Sequence, residues 1–491
     1  MSMSTVEMNA AEPPAPIDWC NFWTESERVR EPESECERSL TAIMAPRTIA
    51  IVGAGIAGIA CALSLAKELT PFVPDLQINI FERHEILSTS GGAINLTPVA
   101  QRHLDQLGVL EELDRLGVEG GSDVDAIEVF SSRSGRQLGS IDFTDSSGKG
   151  IGGYKGRRVM RIMLSMAMLT TVERTKNVNV VFGKKLIRGE ETSDQAILYF
   201  QDGTTAKADL VLGCDGVHSA TRTKWVAPGS VSEYTGISFV QTVVESKTVK
   251  APIHFRSTAL NISRHGSLIS SYCDREHEQI FLAAIVQVPE NLLSQYRLES
   301  GADWRKKATI KRALSEEMRI RFGKSGLPCI REMTSNPADW MMYPVYQVRP
   351  GVRWHTERVM LLGDAAHAMP PRDESAAYAL DDAILFSRIL SKHRHEPPSA
   401  AFKAYEDLRR ETVNAAFRSS RRMWEKHRDM SFLEGRLKEW TLPFYLRNSR
   451  EARQAAWEFD ATKISIPVPV EEQSSSSTYS FEKGYFSRIS L

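Results

Sequence analysis

Three glycines near residue 50 are spaced as in a turn that holds the phosphates of a dinucleotide. Gly53 permits a tight bend, Gly55 lets the backbone approach a pyrophosphate, and Gly58 allows a strand and a helix to pack closely. The flanking segments agree, because Thr48–Val52 is a short apolar run and Ile56–Leu69 is rich in Ala and Leu. The pattern predicts a strand, a turn and a helix whose N-terminus faces the phosphates.

An acid stands where the ribose of such a dinucleotide would bind. A second apolar run, Gln77–Phe81, predicts a strand that ends at Glu82, close to the spacing of about 20 residues expected after the glycines. A carboxylate there accepts hydrogen bonds from ribose hydroxyls and repels a 2′-phosphate, so the site suits FAD or NAD better than NADP. Glycine-rich turns also occur in α/β proteins that bind no dinucleotide, which is the alternative for this segment.

Two later segments also place an aspartate after an apolar run. The run 208–214 leads into Asp215, and the run 358–362 leads into Asp364. An Asp-Gly turn after a strand is often only a turn, and Asp364 could be a helix N-cap, which is compatible with a binding role. We expect His367 to be a packed, hydrogen-bonded residue.

In their order along the chain, the three segments resemble the motifs of the flavoprotein aromatic hydroxylases, the single-component FAD monooxygenases of the para-hydroxybenzoate hydroxylase-like family. They are Gly53-Ala54-Gly55-Ile56-Ala57-Gly58, Cys214-Asp215-Gly216-Val217-His218-Ser219-Ala220-Thr221-Arg222 and Gly363-Asp364-Ala365-Ala366-His367. The resemblance runs from about residue 48 to about residue 390. It implies an α/β fold with a Rossmann-like FAD-binding domain (GR2-type), an inserted β-rich substrate domain and C-terminal helices.

The resemblance also implies which residues bind FAD. Asp215 belongs to a segment that serves both the flavin and the visiting nicotinamide, Asp364 binds the ribityl chain, and Arg161 begins a helix that crosses the cofactor. The implied set is Gly53, Gly55, Gly58, Glu82, Arg83, Gly92, Ala93, Arg161, Asp215, Asp364 and Ala377. In this set, Gly92 and Ala93 come from a loop that passes beside the flavin. As an alternative, Arg161 could belong with its neighbours Arg157 and Arg158 to a solvated basic helix start.

The segment after Pro371 departs from the common family pattern. Many relatives have glycines there, whose backbone amides meet the flavin ring, but this chain has Arg372-Asp373-Glu374-Ser375-Ala376-Ala377-Tyr378. Some relatives, chiefly fungal, carry Ser-Ala-Ala before Ala-Leu-acid-Asp-Ala, as 375–383 does, so the chain resembles a fungal-type member. A Cβ limits both φ and the approach of the backbone to a ligand, and FAD affinity or ring mobility could therefore differ.

Composition and charge are those of an ordinary globular protein. The 491 residues are 42% apolar and 25% charged, enough for two cores. The net charge of -1 gives no reason to expect nucleic acid or an acidic membrane as a partner. Six cysteines without a CxxC or metal spacing indicate reduced thiols and a cytoplasmic protein. The pair His393 and His395 lies in a charged loop, and we assign no metal.

The pattern along the chain predicts a cofactor domain interrupted by a strand-rich insertion. No run of about twenty apolar residues could cross a bilayer, and the first 45 residues lack the apolar core of a secretory signal. The predicted divisions are 1–45, a disordered or loosely docked extension; 46–224 and 345–395, two parts of the FAD-binding domain; 225–344, a β-rich substrate-covering domain; 396–465, a helical region; and 466–491, a flexible tail.

The helical region has a basic face. Its members are Arg409, Arg410, Arg418, Arg421, Arg422, Lys426 and Arg428, interrupted by Phe417 and Trp424. A solvated helix with an apolar stripe is the favoured interpretation, and a membrane-surface or partner helix is the alternative.

The resemblance implies a reaction in two halves. NADPH or NADH reduces FAD, and the reduced flavin takes up O2 to form a C4a-hydroperoxide that transfers one oxygen atom to the substrate. Because the chain has one dinucleotide fingerprint, FAD is the resident cofactor and the nicotinamide binds transiently. The protein positions flavin and substrate and excludes water, so no catalytic side chain is assigned.

One segment bears on the substrate. Some phenol-hydroxylating relatives have a Tyr-x-Gly segment followed by an arginine that holds a phenolate, and the matching stretch from Tyr234 places Gln241 there, or Val240 with a shift of one residue. A neutral side chain cannot stabilise a phenolate as a guanidinium does. We therefore expect Gln241 to contact a small, mostly apolar substrate (aromatic, polyketide or terpenoid) that is hydroxylated or epoxidised, with secondary metabolism as one setting.

Two other functions remain as alternatives. One is a flavin oxidoreductase of the same fold that inserts no oxygen; a halogenase is disfavoured, since the chain has no Trp-x-Trp-x-Ile-Pro segment. The other is a catalytically silent relative that binds a partner or ligand, which the lost glycines after Pro371 suggest.

Overall fold

A computed structural model describes residues 45–88, 91–288, 290–299, 304–336, 339–371 and 375–466. The predicted N-terminal extension up to residue 44, the tail from residue 467 and the segment 372–374 lie outside the described residues.

The first half of the chain alternates strands and helices. Its strands are β1 (Thr48–Val52), β2 (Gln77–Phe81), β3 (Ala93–Leu96), β4 (Ser122–Val124), β5 (Ala126–Ser131), β6 (Gln137–Asp142), β7 (Gly156–Met160), β8 (Val178–Val181), β9 (Leu186–Glu191), β10 (Ala196–Phe200), β11 (Thr205–Ala208) and β12 (Leu210–Gly213). Its helices are α1 (Ile56–Leu69), α2 (Pro98–Gln106), α3 (Val109–Arg115) and α4 (Arg161–Glu173). The predicted bounds of β1, α1 and β2 are those observed.

The second half adds a long antiparallel region and ends in helices. Its elements are β13 (Glu233–Glu245), β14 (Thr258–Ser263), β15 (Gly266–Tyr272), β16 (Gln279–Gln287), α5 (Glu290–Glu299), α6 (Trp304–Phe322), α7 (Pro328–Ser335), β17 (Met341–Gln347), β18 (Val359–Leu361), α8 (Asp364–His367), α9 (Ser375–Lys392), α10 (Pro398–Glu425), α11 (Phe432–Asn448) and α12 (Arg450–Trp457).

A parallel sheet forms the centre of the first layer. Its order is β18-β12-β1-β2-β8, and every neighbouring pair is parallel. Apart from its first residue β1 is buried throughout, as expected for a strand covered on both faces. Residues of α1 and α9 belong to the same core as the sheet. The predicted α/β fold class is confirmed.

A seven-stranded sheet forms a second layer, in the order β17-β13-β16-β15-β14-β5-β6. One face packs on α5, α6 and α7, and the opposite face packs on residues of β3 and β7. Side chains alternate between the faces, so Val240 of β13 joins the helix-covered core and Ile237 joins the other.

The division at residue 224 does not separate the two sheets. β5 and β6 precede it in the sequence, yet β5 pairs with β14 in the seven-stranded sheet. The region 225–344 also contains α5, α6 and α7, which the strand-rich prediction did not include. The covering layer is therefore built from strands of two separate chain segments and is backed by helices.

Within the described ranges, no helix is both long and apolar enough to cross a membrane. The same residues contain no cluster of three or more His, Cys, Asp or Glu side chains that could hold a metal ion.

Candidate functional site

Three turns meet at one edge of the parallel sheet. Strands β12, β1 and β18 are parallel neighbours of one another in the order β18-β12-β1, so their carboxyl ends lie side by side. Gly53, Asp215 and Asp364 follow these strands. From β1 the sheet continues to β2 on one side and to β12 on the other, and ligands of open α/β sheets bind at such a reversal of strand order.

The first two turns are in direct contact. Gly53 has a φ of +102°, and a methyl group on its Cα would lie 2.7 Å from the carbonyl oxygen of Cys214. A side chain at residue 53 would therefore be strained and would collide with the second turn.

The third turn is held against the other two. A methyl group on Gly363 would lie 3.0 Å from the Cβ atom of Ala57, in the first turn of α1. The buried Arg222 donates from Nη1 to the Ala365 carbonyl oxygen at 2.7 Å and from Nη2 to the Val217 carbonyl oxygen at 2.6 Å. This arginine, which follows the second turn, joins it to α8 of the third.

The glycines at the start of α1 leave an open space. A methyl group on Gly58 would lie 1.9 Å from the Gly53 carbonyl oxygen, so this glycine allows the helix and the turn to touch. A methyl group on Gly55 would meet no heavy atom of the described residues within 4 Å. Gly55 is the N-cap of α1, and a helix N-terminus with free space in front of it is suited to an anion.

Glu82 closes the first turn at the end of β2. Its Oε2 atom accepts a hydrogen bond from the Ala54 backbone N–H at 2.9 Å, and its Oε1 atom accepts one from the His84 N–H at 3.0 Å. A carboxylate has about four acceptor positions, so each oxygen can accept a further hydrogen bond. The adjacent Arg83 is exposed.

Arg161 and Asp364 act on each other electrostatically. Arg161 begins α4, and burial lowers the pKa of its guanidinium while the charge of Asp364 opposes that effect. Asp364 is exposed to solvent, but nearby protein atoms remove part of the hydration of its carboxylate, and this loss raises its pKa. The charges of His367 and Arg161 act in the opposite direction and lower the pKa. The start of α4 and the third turn therefore bring two side chains of opposite charge near each other.

The loop before β3 approaches both Arg161 and the covering sheet. The Arg161 backbone N–H donates to the Gly92 carbonyl oxygen at 3.0 Å. A methyl group on Gly92 would lie 2.3 Å from the Phe281 ring, and one on Gly91 would lie 3.7 Å from Arg161 Nε and 3.8 Å from Gln241 Nε2. The structure thus brings the predicted Gln241 close to the predicted Arg161.

Gln241 lies in an apolar surface with an unsatisfied amide. The side chain is 6% exposed, and its Nε2 atom has no hydrogen-bond partner among the described residues. The apolar residues of this surface come from β3, β7, the covering sheet and α10; they include Ala93, Met160, Ile237, Phe239, Ile269, Phe281, Ala283 and Trp424. Val240 faces the opposite side of the sheet.

Two residues of the predicted FAD-binding set have side chains that contact other parts of the protein. The carboxylate of Asp215 accepts hydrogen bonds from the Ser219 hydroxyl and from the N–H and hydroxyl of Thr221, so it caps its own turn. Burial raises its pKa, while these bonds oppose the shift. Ala377 is buried in the first turn of α9 and packs in the core.

Sequence reasoning missed a buried charge network behind the third turn. Asp382 of α9 accepts hydrogen bonds from the Gly363 N–H at 3.1 Å, from His367 Nε2 at 2.7 Å and from Arg409 Nε at 2.7 Å. Although burial favours the neutral carboxyl, the charges of His367 and Arg409 hold the pKa of Asp382 well below its usual value. The prediction that His367 is packed and hydrogen-bonded is confirmed.

The prediction that Arg409 belongs to a solvated basic face of the helical region is wrong. Its side chain is buried against Asp382 and Asp381. A signal was present in the sequence, because Arg409 follows Phe402 and Tyr405 at the spacing of the apolar stripe of α10.

Comparison with known proteins identifies the family. Residues 47–420 match the family described as FAD binding domain. The chain belongs to this family. The predicted family, the FAD cofactor and the assignment as an oxidoreductase of the monooxygenase type are confirmed.

Relatives in sequence cover most of the chain. The 6-hydroxynicotinate 3-monooxygenase of Bordetella bronchiseptica is 25% identical over 76% of this chain and 90% of its own length. An FAD-dependent monooxygenase of Aspergillus terreus is 25% identical over 81% of this chain and 89% of its own length.

Solved structures share the fold. Klebsiella pneumoniae HpxO complexed with FAD and uric acid has a TM-score of 0.66 at 20% identity, covering 85% of this chain and 97% of its own. A salicylate hydroxylase substrate complex has a TM-score of 0.64 at 20% identity, with the same coverage.

The described residues fit FAD. The open space in front of Gly55 suits a pyrophosphate, the remaining acceptor positions of Glu82 suit ribose hydroxyls, and the exposed carboxylate of Asp364 suits a polyol chain. All three features lie on the carboxyl-terminal edge of the parallel sheet.

Proposed function

We propose that this protein is an FAD-dependent monooxygenase that consumes NAD(P)H and O2 and hydroxylates a small, mostly apolar aromatic or heteroaromatic molecule. The observation that carries this proposal is the convergence of the three turns on one edge of the parallel sheet, where Arg161 lies near both Asp364 and the loop beside Gln241. The substrates named for the relatives, such as hydroxynicotinate and hydroxybenzoate, are small aromatic acids. Secondary metabolism is a compatible setting, and epoxidation of a polyketide or terpenoid is a variant of the same chemistry.

The chain's own residues hold the cofactor in parts. Gly53, Gly55 and Gly58 shape the pyrophosphate site, Glu82 binds the adenosine ribose and the neighbouring Arg83 lies at its rim. Asp364 accepts hydrogen bonds from the ribityl hydroxyls. Bound FAD supplies hydride acceptance and oxygen activation.

The remaining residues of the proposed set would hold the flavin ring. Gly92 and Ala93 give backbone close to the ring, Arg161 supplies positive charge, and Asp215 contributes through its turn. Ala377 lies in the first turn of α9, whose first backbone N–H groups have no partner within the helix and would be available to the cofactor. The nicotinamide, NADH or NADPH, binds transiently.

The covering layer positions the substrate and excludes water. Its apolar side chains desolvate the reacting carbon, and the Gln241 amide donates to an acceptor on the substrate. A neutral donor there favours a neutral oxygen or ring nitrogen over a phenolate. We assign strands β5 and β6 to this layer together with the region 225–344.

Cysteine chemistry supports a cytoplasmic setting. The described cysteines Cys61, Cys214, Cys273 and Cys329 are free and buried, as is usual for a protein of a reducing compartment.

The test is a coupled-turnover measurement on the FAD-loaded protein. Candidate aromatic compounds, including 6-hydroxynicotinate and salicylate, are screened for acceleration of anaerobic flavin reduction. For those that accelerate it, the NAD(P)H consumed is compared with the peroxide released and the hydroxylated product formed. Product in near-equal amount to NAD(P)H supports a monooxygenase; NAD(P)H oxidation that yields only peroxide or a reduced product supports the flavin oxidoreductase.

Gln241→Ala tests the substrate contact. We expect substrate affinity to fall about tenfold, because one buried hydrogen bond is lost, and peroxide release to rise. Gln137→Ala is the matched control, since Gln137 lies exposed on β6 of the same sheet. Unchanged affinity and coupling in Gln241→Ala would remove Gln241 from the site.

A catalytically silent binding protein is the second candidate. The absence of glycines after Pro371 favours it. Purified protein that remains colourless after incubation with FAD supports this candidate and excludes the enzyme.

A further inference from the structure

Helix α11 presents apolar side chains to solvent. Leu433, Leu437, Trp440 and Phe444 are 77%, 59%, 76% and 62% exposed, and the adjoining Phe432 is 58% exposed. The first four are spaced by four, three and four residues, so they form one stripe along the helix. A stripe of this size on a soluble surface marks an interaction site.

The opposite side of α11 is fixed to the covering sheet. Leu446 is buried with Val129, Leu138 and Ile262, and Leu442 packs against the same cluster. The helix is therefore apolar on two sides, and only one of them is covered by the described residues. A partner protein that binds a helix in a groove contacts most of the circumference of that helix, and one side of α11 is already covered. A flat partner surface needs to contact only the side that is free.

Basic residues stand on both flanks of the stripe. At 100° per residue, Arg436 and Arg447 border it on one side, and both are exposed. On the other flank Lys426 lies at the end of α10, with its Nζ atom 5.1 Å from the centre of the Tyr445 ring.

The acids of α11 compensate only part of this charge. Glu434 caps the helix by accepting from the Ser431 N–H at 2.8 Å. Glu439 is 14% exposed and bound to Ser131 and Arg133 on the side facing the sheet, and its Oε2 atom also lies 3.4 Å from Arg436 Nη1. The exposed arc thus combines apolar side chains with a positive rim, although the whole chain is nearly neutral.

These charges disfavour a second copy as the partner. Two α11 helices packed across a two-fold axis would bring the basic residues of both copies into one interface. Three basic residues, Arg436, Arg447 and Lys426, would face one exposed acid of α11, Glu434, in each copy, so positive charge would be in excess. An anionic lipid surface instead satisfies both the arginines and the apolar stripe, and tryptophan is enriched at the boundary between headgroups and acyl chains.

We propose that the exposed face of α11 docks the protein on the surface of an anionic membrane. Leu433, Leu437, Trp440 and Phe444 enter the boundary between headgroups and acyl chains, while Arg436, Arg447 and Lys426 contact lipid phosphates. The helix lies in the plane of the surface and does not span it. This association is independent of the chemistry proposed for the FAD site.

Vesicle sedimentation of the FAD-loaded, full-length protein tests the proposal. Binding is measured with phosphatidylcholine vesicles that contain phosphatidylglycerol and with pure phosphatidylcholine vesicles. We expect binding to the anionic vesicles, weakened by added salt. Trp440→Glu and Leu437→Glu are each expected to weaken it about tenfold or more, because each removes a buried apolar group. Brominated lipid is expected to quench more tryptophan fluorescence in the wild type than in Trp440→Phe.

Ile187→Glu is the matched control, since Ile187 is 43% exposed on β9, in the three-stranded sheet β11-β10-β9 and not in the sheet that α11 contacts. It should bind vesicles as the wild type does. Thermal unfolding and bound-flavin absorbance should be unchanged in Trp440→Glu. The proposal is overturned if the wild type does not bind anionic vesicles or if Trp440→Glu binds equally well. It is also overturned if light scattering shows a dimer that Trp440→Glu dissociates, or if Trp440→Glu lowers the unfolding temperature, which would indicate that another part of the chain covers the stripe.

Discussion

At the scale of single residues, the two glycines at the start of α1 separate ligand binding from folding. Gly58 has the carbonyl oxygen of Gly53 against it, so a methyl group there disturbs the packing of helix and turn. Gly55 has open space and a φ of -78°, which alanine adopts without strain. The same added methyl therefore has different consequences three residues apart.

Gly55→Ala is expected to weaken FAD binding by about tenfold or more while leaving the apoprotein as stable as the wild type or about 0.5 kcal/mol more stable. The Cβ atom would occupy the space of the phosphates, and it would also restrict the unfolded chain. Fluorescence titration with FAD and urea unfolding of the apoprotein measure the two effects. Gly58→Ala is the contrasting variant and should lose about 1–3 kcal/mol of stability. Equal FAD affinity in Gly55→Ala and the wild type would contradict the assignment of this space to FAD.

The role of these glycines could be predicted from the sequence because the turn that requires them is formed by neighbouring residues. Gly53, Gly55 and Gly58 lie within six residues, and a strand and a helix frame them. The environment of Gln241 could not be derived in this way, since its neighbours Gly91 and Arg161 are distant in sequence. The resemblance to a family suggested its position, and the structure adds its burial and its unsatisfied amide.

At the scale of elements, α9 and α10 are joined by ion pairs that support the third turn. Arg409 of α10 bonds Asp382 of α9, which in turn accepts from the Gly363 N–H. Removing Arg409 would leave the buried carboxylate of Asp382 without one of the positive charges that stabilise it.

Arg409→Ala is expected to destabilise the protein by about 3–5 kcal/mol, the usual cost of breaking a buried ion pair on one side. Arg418→Ala is the control on the same helix. Arg418 pairs with Glu411 at the surface, and its loss should cost less than about 1 kcal/mol. Denaturant unfolding of the two variants measures the difference. Similar stabilities of the two variants would contradict the structural role given to the network.

His427, just beyond α10, gives this junction a pH dependence. Burial, reinforced by the charges of Lys438 and Lys426, lowers its pKa to about 3. Its Nδ1 atom lies 3.0 Å from the Ser267 hydroxyl of β15. In the unfolded chain its pKa is about 6.5, so acidification protonates the unfolded state first. The stability linked to His427 is complete above about pH 6.5 and falls toward pH 3, by up to about 1.4 kcal/mol per pH unit.

His427→Gln should flatten that slope, because glutamine keeps a hydrogen-bonding group but does not titrate. Urea unfolding at several pH values between about 4 and about 7 measures it. Gln137→Ala, at an exposed position on β6, should keep the wild-type slope. A slope unchanged by His427→Gln would show that the acid sensitivity arises elsewhere.

Elements were predictable where their pattern is self-contained. β1, α1 and β2 have apolar runs of the right length and were predicted with their observed bounds. Helices α5, α6 and α7 were not separated from the surrounding strand-rich region. Their apolar residues, such as Leu293, Leu314 and Ile330, pack against the seven-stranded sheet, and this packing partner cannot be recognised from the local sequence.

At the scale of the whole molecule, the two layers are interleaved along the chain. Along the chain, β5 and β6 belong to the seven-stranded covering sheet, whereas α4 and β12, which follow them, belong to the cofactor layer. The next strands, β13 to β17, belong to the covering sheet again, and β18 then completes the parallel sheet. The sequence predicted one insertion, because the parallel pairing of β14 with β5 joins residues too far apart for any local pattern to reveal.

This interleaving orders the events of biosynthesis. The phosphate turn at Gly53 leaves the ribosome early, but Asp364 and the strand before it appear only after about three-quarters of the chain has been translated. A nascent polypeptide cannot complete the coenzyme site until then, so during most of its synthesis the growing chain lacks the added stability of a bound ligand. Supply of the coenzyme therefore matters only once the last strand of the parallel sheet has been translated and takes its place.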